Sequence, residues 1–435
     1  MKEEKLLISS EIVFFLCIDL GKDVPEKIVD VLNRENWIKE VKKQELYGLG
    51  KYILARKIAP FLLTLTSFIV DYNGNKIEIY PEVRLYLTGA CCIRLRVTLN
   101  KKTIDETIDI MRMLTLRRDR AIVTSKNISL KDFLNQIIEI LTDKIKVKNE
   151  ETLHTNIANK VKTQYITIIL KEPILSKKNL LSTYSKEIAA LISWHPDWRD
   201  FGEDYIHHLI TNPIPTRFKD GFVLTKFPAT LLYLPNASKS TLELYLFTIE
   251  LARISLHFLK VYAIISDKLV KKISEIQGSI SLEDSQSLQV LSKELWEFNK
   301  LKLEILRATD ETKRIRDIIQ VHRLLWVFDQ LVKESMVDRQ FDYINMRINN
   351  IDRIINDCYN LIRAEYSALE QTELYYLQAI FVIGVVIQAI TLYFIKITNF
   401  NWLGFPLTLA AVMCGISLFF MFRKIFLKWR RQSKK

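Results

Sequence analysis

The chain has 435 residues, 49% of them hydrophobic, and a formal charge of +13, which is room for two or three domains with packed cores. Eight of the 63 basic residues and none of the 50 acidic ones lie from Leu374 onward, so the positive balance is concentrated at one end and no nucleic-acid face is expected. No GxxxxGK[ST] loop, no GxGxxG and no Ser-His-Asp or Cys-His arrangement with local context occurs, so the chain is not read as an enzyme.

Glu11–Ile18 (EIVFFLCI) reads as a strand, and Pro25–Leu32 as a helix with proline at its start. Phe61–Tyr72 reads as one strand, closed by the turn Asn73-Gly74-Asn75. Three further strand-like runs follow, KIEIY, VRLYL and CIRLRV, with the Asn73-Gly74-Asn75 turn and the Thr88-Gly89 break acting as hairpin turns. In Ile93-Arg94-Leu95-Arg96-Val97 the alternation is strict, so one face is buried and the other carries Arg94 and Arg96, a place for an anion to bind. Helices are expected at Thr103–Leu114 and Leu130–Lys146, and strands at Gln164–Leu170, Arg217–Thr225 and Thr230–Leu234. Residues 1–235 are thus expected to form an α+β domain with a mostly antiparallel sheet.

Within it, Trp194–His208 is dense in histidines and carboxylates. His195, Asp197 and His207 are the candidate metal ligands there. The spacing matches no HExxH or other defined set, and the alternative is a solvated loop followed by a helix. The five cysteines, Cys17, Cys91, Cys92, Cys358 and Cys414, include no CxxC pair. Neither zinc nor a disulfide framework is suggested, and free cysteines of this kind suit a reducing cytoplasm.

Residues 236–373 read as long helices. Leu242–Ile276 repeats apolar residues at three and four, Gln277–Ser281 breaks it, and Ser281 with Asp284 forms a capping box for a second helix reaching Val332. A softer break at Glu334–Val337 precedes a third helix from Asp338 to Ile395, roughly 60 residues or about 90 Å long. Phe341, Ile344, Ile348, Ile351, Ile355, Cys358 and Ile362 form a coiled-coil seam along it. A second stripe, Asp338, Asp342, Asn345, Asn349, Asp352 and Asn356, holds only carboxylates and amides. Such a stripe suits the inner wall of an oligomer carrying hydrated divalent cations such as Mg²⁺, or else is an ordinary wet face.

Residues 374–422 are expected to be a two-helix transmembrane hairpin. Leu374–Ile395 carries no charge, and Leu403–Phe422 is a second apolar run; each is near the ~20 residues needed to cross a bilayer. The tail 423–435 has basic residues and no acid. This places both termini in the cytoplasm and the protein in the plasma membrane. Gln378 and Gln388 are the polar residues inside the first span. They differ by about 50° at 3.5 residues per turn, so they can share a pore-facing sector or hydrogen-bond between helices.

From Leu242 to Lys435 this layout resembles the CorA family of divalent-cation channels. That resemblance implies a pentamer with a cytoplasmic α+β domain, a stalk helix continuing into a pore-lining membrane helix, and a basic tail. The family's Gly-Met-Asn motif falls where this chain reads Tyr393-Phe394-Ile395-Lys396-Ile397-Thr398-Asn399. Only Asn399 corresponds to it. The function expected is a homo-oligomeric cation channel or transporter gated by its cytoplasmic domain. The alternatives are a ligand- or nucleotide-gated membrane effector in stress or defence signalling and a non-conducting membrane-anchored scaffold.

Overall fold

Strand β1 (Ile8–Asp19) is buried along almost its whole length, because helices cover both faces of the sheet at whose centre it lies. The structure is a computed structural model; it describes residues 6–20, 38–43, 60–86, 89–145, 161–279 and 321–398, with isolated positions elsewhere. The expected helix at Pro25–Leu32 lies, but for single positions, outside these residues.

The remaining strands are β2 (Ile38–Lys43), β3 (Phe61–Leu65), β4 (Phe68–Tyr72), β5 (Asn75–Leu85), β6 (Ala90–Lys102), β7 (Ile122–Val123), β8 (Ile128–Ser129), β9 (Thr163–Glu172), β10 (Ile214–Pro215), β11 (Phe222–Thr225) and β12 (Ala229–Tyr233). Across the sheet they run β10-β11-β12-β9-β1-β6-β5-β4-β7-β8, with β3 beside β5 and β2 beside β3. β12 and β9 are parallel; the neighbours of β1 are antiparallel to it. The fold is therefore a mixed, mostly antiparallel sheet followed by long helices.

The stretch expected as one strand over Phe61–Tyr72 is divided at Thr66-Ser67. β3 pairs Thr64 with Glu82, whereas β4 pairs Phe68 with Ile79. One more residue on this side than on β5 is a bulge in an otherwise continuous ladder. The hairpin that follows turns on Asn73 (φ 52°) and Gly74 (φ 79°), the pair of positive φ angles that a tight two-residue β-hairpin demands.

On one face of the sheet Ile12, Phe14, Leu16 and Ile18 pack with Ile93, Leu95 and Val97. Helices α1 (Ile104–Thr115), α2 (Leu130–Ile145) and α4 (Ser185–Ser193) cover this face, with α3 (Lys177–Thr183) and α5 (Glu203–Ile210) beside them. A full capping box, Thr103 with Glu106, starts α1. On the other face Val13, Phe15, Cys17 and Cys92 meet α6 (Lys239–Ser279) and α7 (His322–Glu334).

After α7 the chain passes Met336, whose φ of 52° ends the helix, and enters α8 (Val337–Thr398), one helix of 62 residues. The expected break at Glu334–Val337 is thus real. Residues Met1–Lys272 with Trp296–Ile351 form one compact unit, and Ile273–Leu295 with Asp352–Lys435 a second. The boundary expected at Pro235 falls inside the first unit, because the apolar cover of the second sheet face comes from α6 and α7.

Ile344 and Ile348 of the expected coiled-coil seam are buried against Leu256, Leu259, Tyr262 and Ile265 of α6. This part of the seam closes within the chain rather than between chains. Asp267 of α6 strengthens it, taking a hydrogen bond from Tyr343 at 2.7 Å and an ion pair from Arg347 at 2.8 Å. Farther along α8, Glu370–Ile390 is a stretch of 21 residues with mean hydropathy 1.7 and none of it buried. Among the described residues it is the one helical stretch long and apolar enough to cross a membrane. The second apolar run, and with it the hairpin, lies outside the described residues save for isolated positions.

Candidate functional site

Strict alternation on β6 sends Arg94 and Arg96 to the face opposite Ile93, Leu95 and Val97. That face is not open. Arg94 is fully buried, as is Arg84 at 1% exposure from the neighbouring β5. What they meet is α6, whose Glu243 and Glu250 lie two turns apart on the side facing the sheet.

Arg94 donates from Nε to Glu250 at 2.5 Å and from Nη1 to Glu243 at 3.2 Å, and its Nη2 also lies against Glu250. Arg84 reaches Glu243 at 3.2 Å and lies 3.6 Å from Glu250. Tyr86 donates its hydroxyl to the other Glu250 oxygen at 2.5 Å. Arg96 binds Glu243 at 2.5 Å, Glu11 at 3.3 Å and Glu82 at 3.4 Å, and Lys171 completes Glu11 at 3.1 Å. Glu11, Glu82, Glu243 and Glu250 thus stand against Arg84, Arg94, Arg96 and Lys171, and the layer is electrically balanced.

Burial opposes charge on Arg94, but Glu250, Glu243 and Glu82 outweigh it and push its pKa up. Burial would likewise raise the Glu243 carboxyl; Arg94, Arg96 and Arg84 outweigh it and hold the group below the usual carboxylate range. For the Tyr86 phenol, burial and then the Glu250 charge act together and push it well up. Taking these ions out of water costs several kcal/mol each, so the layer is a device for fixing register rather than a simple source of stability. A helix slipped by one turn would take Glu243 and Glu250 away from Arg84 and Arg94 and leave Arg96 only its strand partners Glu11 and Glu82.

The polar stripe continues along α6. Arg253 is 3% exposed, lies over the Tyr165 ring at 3.4 Å from its centroid, and donates to Ser335 Oγ at 2.8 Å. Lys226 pairs with Glu334 at 3.1 Å. The sheet and α6 therefore both grip Glu334-Ser335, the joint from which α8 starts. Beyond it His257, fully buried, sits with Nδ1 3.2 Å from Thr163 Oγ1.

Burial pushes the His257 pKa down to about 4; Asp19 opposes this and Lys260 reinforces it. An unfolded histidine takes up its proton near pH 6.5, before the buried one does. The stability tied to this residue is thus present above that pH and is lost as pH falls from 6.5 toward 4. The unfolding free energy should drop in this window by up to about 3 kcal/mol. His257→Gln, neutral throughout, should flatten the dependence there. An unchanged slope in a urea series from pH 7 to 4.5 would assign it to other groups. Glu243, whose pKa is held low, contributes its loss at more acid pH.

Arg94 and Arg96, the residues singled out for anion binding, thus have their guanidinium groups engaged by carboxylates of this chain. His195 and Asp197 lie in an exposed loop, 4.0 Å apart. His207 on α5 turns its Nδ1 to Thr211 at 2.7 Å. Among the described residues no group of three or more His, Cys, Asp or Glu is placed to hold a metal ion. The loop has a structural part instead: Trp198 Nε1 donates to Asp105 in the first turn of α1 at 2.9 Å, and Arg199 pairs with the same carboxylate.

On α8, Asp338, Asp342, Asn345, Asn349 and Asn356 are exposed and Asp352 is half-buried. Gln378 and Gln388 are exposed within the apolar stretch. Asn399 lies outside the described residues. Sequence reasoning missed Arg84, Tyr86, Glu243, Glu250, Arg253 and His257. The available signal was the recurrence of Glu243, Glu250, Arg253 and His257 on one stripe of an otherwise apolar helix.

Residues 9–225 match the model of a family described as "Uncharacterized protein MJ0711, N-terminal domain". The match takes in Arg84, Arg94 and Arg96 of the layer with Glu11 and Glu82, and stops before α6 supplies Glu243 and Glu250. No curated protein and no solved structure matches the chain.

Proposed function

We propose that the protein is an integral membrane protein of CorA-like layout, in which an α+β domain governs a membrane-spanning helix, and that its homo-oligomer, of pentameric type, passes divalent cations. Helix α8 carries the reading. It starts at a joint held by Lys226 and Arg253, packs Ile344 and Ile348 on α6, and runs unbroken into Glu370–Ile390, none of which is buried among the described residues. A helix apolar on all sides needs an apolar surrounding. A bilayer supplies it, and the second apolar run with its basic tail completes a hairpin with both ends on the cytoplasmic side.

Divalent cations suit the exposed stripe from Asp338 to Asn356, whose oxygen ligands match hard cations. Its place off the α6 contact leaves it open to the axis of an assembly. The coupling is mechanical: whatever shifts α6 against the sheet acts on Ser335 through Arg253.

Purified protein reconstituted in liposomes should admit Mg²⁺ to a trapped indicator. Uptake should fall when Asp338 and Asp342 are both changed to Ala. Liposomes as tight as protein-free ones would sink the channel and leave a membrane anchor. Uptake seen only with an added nucleotide would move the reading to a ligand-gated effector.

A further inference from the structure

Cys17 on β1 and Cys92 on β6 are directly opposed across adjacent antiparallel strands. Both are buried under α6, and their sulfurs are 3.8 Å apart. The ladder sets the type of pair. Leu20 N donates to Gly89 O at 2.9 Å, which makes Leu20 and Gly89 a hydrogen-bonded pair, and the register is regular from Asp19↔Ala90 back to Ser10↔Leu99. Alternation then makes Cys17 and Cys92 a non-hydrogen-bonded pair. In such pairs the Cα atoms stand about 4.5 Å apart and the side chains come closest, inside the roughly 4.4–6.8 Å that a disulfide spans. Cys91, next in sequence, points into the core on the other face of the sheet.

We propose that Cys17 and Cys92 are a reversible redox pair that closes to a disulfide by exchange with a low-molecular-weight disulfide. One cysteine sulfur attacks a sulfur of the reagent and releases one thiol. The second cysteine then attacks the mixed disulfide and releases the other. Two cysteine thiols are oxidised, one reagent disulfide is reduced to two thiols, and the two protons end on those thiols. The strands need no rearrangement, since they are already paired in register. Access is the barrier: α6 covers both sulfurs, so exchange proceeds only when α6 lifts from the sheet, and the bond records that opening.

The test uses full-length protein in detergent, incubated with oxidised glutathione with and without urea below the unfolding transition. After alkylation and digestion, mass spectrometry should find one cross-linked peptide pair, Cys17 with Cys92, that dithiothreitol reverses. Urea should speed its formation at least tenfold, and Cys91→Ser should leave it intact. Glutathione retained as a stable adduct on either cysteine, a cross-link through Cys91, or both thiols surviving prolonged exposure in urea would each overturn the proposal. The wild-type chain alone decides it, so a poorly folding Cys92→Ser variant does not matter.

Discussion

Glu250→Ala should cost the α+β unit about 3–5 kcal/mol, the loss expected when one partner of a buried ion pair is removed. The alanine leaves Arg94 fully buried beside Arg84, with Tyr86 deprived of its acceptor. That loss is a large part of the ~5–15 kcal/mol that holds a typical domain together. Changing both sides of the pair, Arg94→Met with Glu250→Leu, should recover most of it, because no charge is then stranded. Thermal unfolding followed by near-ultraviolet circular dichroism, in the same detergent for all variants, measures both. A Glu250→Ala variant within about 1 kcal/mol of wild type would mean that water reaches the pair.

The second large effect belongs to the apolar stretch of α8. Val385 and Val386 are about half exposed, in a stretch none of which is buried among the described residues. In the proposed membrane placement, aspartate at both positions would put two carboxylates at the depth of the hydrocarbon core, each costing about 2.5–3.5 kcal/mol on an insertion scale. The chain should then either wash from membranes with alkaline carbonate or display its basic tail on the outer side, where protease removes it. Asn349→Asp, on the exposed stripe, should change neither. Carbonate resistance and tail protection both preserved in the double variant would remove Glu370–Ile390 from the bilayer and with it the CorA-like layout.

Local pattern made part of this molecule legible. Strands β1, β5, β6, β9, β11 and β12, the helices α1 and α2, and α8 as far as Gly384 follow from alternation, capping and, in α8, the absence of glycine and proline, whereas β2 and the two-residue strands β7, β8 and β10 did not show. The β3–β4 bulge did not show, since Thr66 and Ser67 fit a strand and only the register against β5 exposes the extra residue. The arginine face of β6 was legible, but not its partner: Arg94 and Glu250 are separated by 156 positions, and nothing local joins them. The seam on α8 was read as apolar, and at Ile344 and Ile348 its partner is α6 of the same chain. Of His195, Asp197 and His207, the first two lie 4.0 Å apart in their loop, while the ring of His207 turns to Thr211 on its own helix, a choice of partner that spacing alone does not show.

The charge layer also separates what solution conditions can and cannot reach. Mobile salt ions screen exposed pairs such as Lys42–Glu40 and Lys102–Glu106, whose side chains are about half exposed, and screening at cellular ionic strength acts over roughly 8 Å. Counter-ions have no path to Arg94 and Glu250, both fully buried. The Arg94–Glu250 contact that seats α6 on the sheet is therefore shielded from the ionic medium, while Asp338, Asp342, Asn345, Asn349 and Asn356 are exposed to it. One surface can thus answer to dissolved ions while the alignment of Arg94 against Glu250 does not drift with every change of concentration.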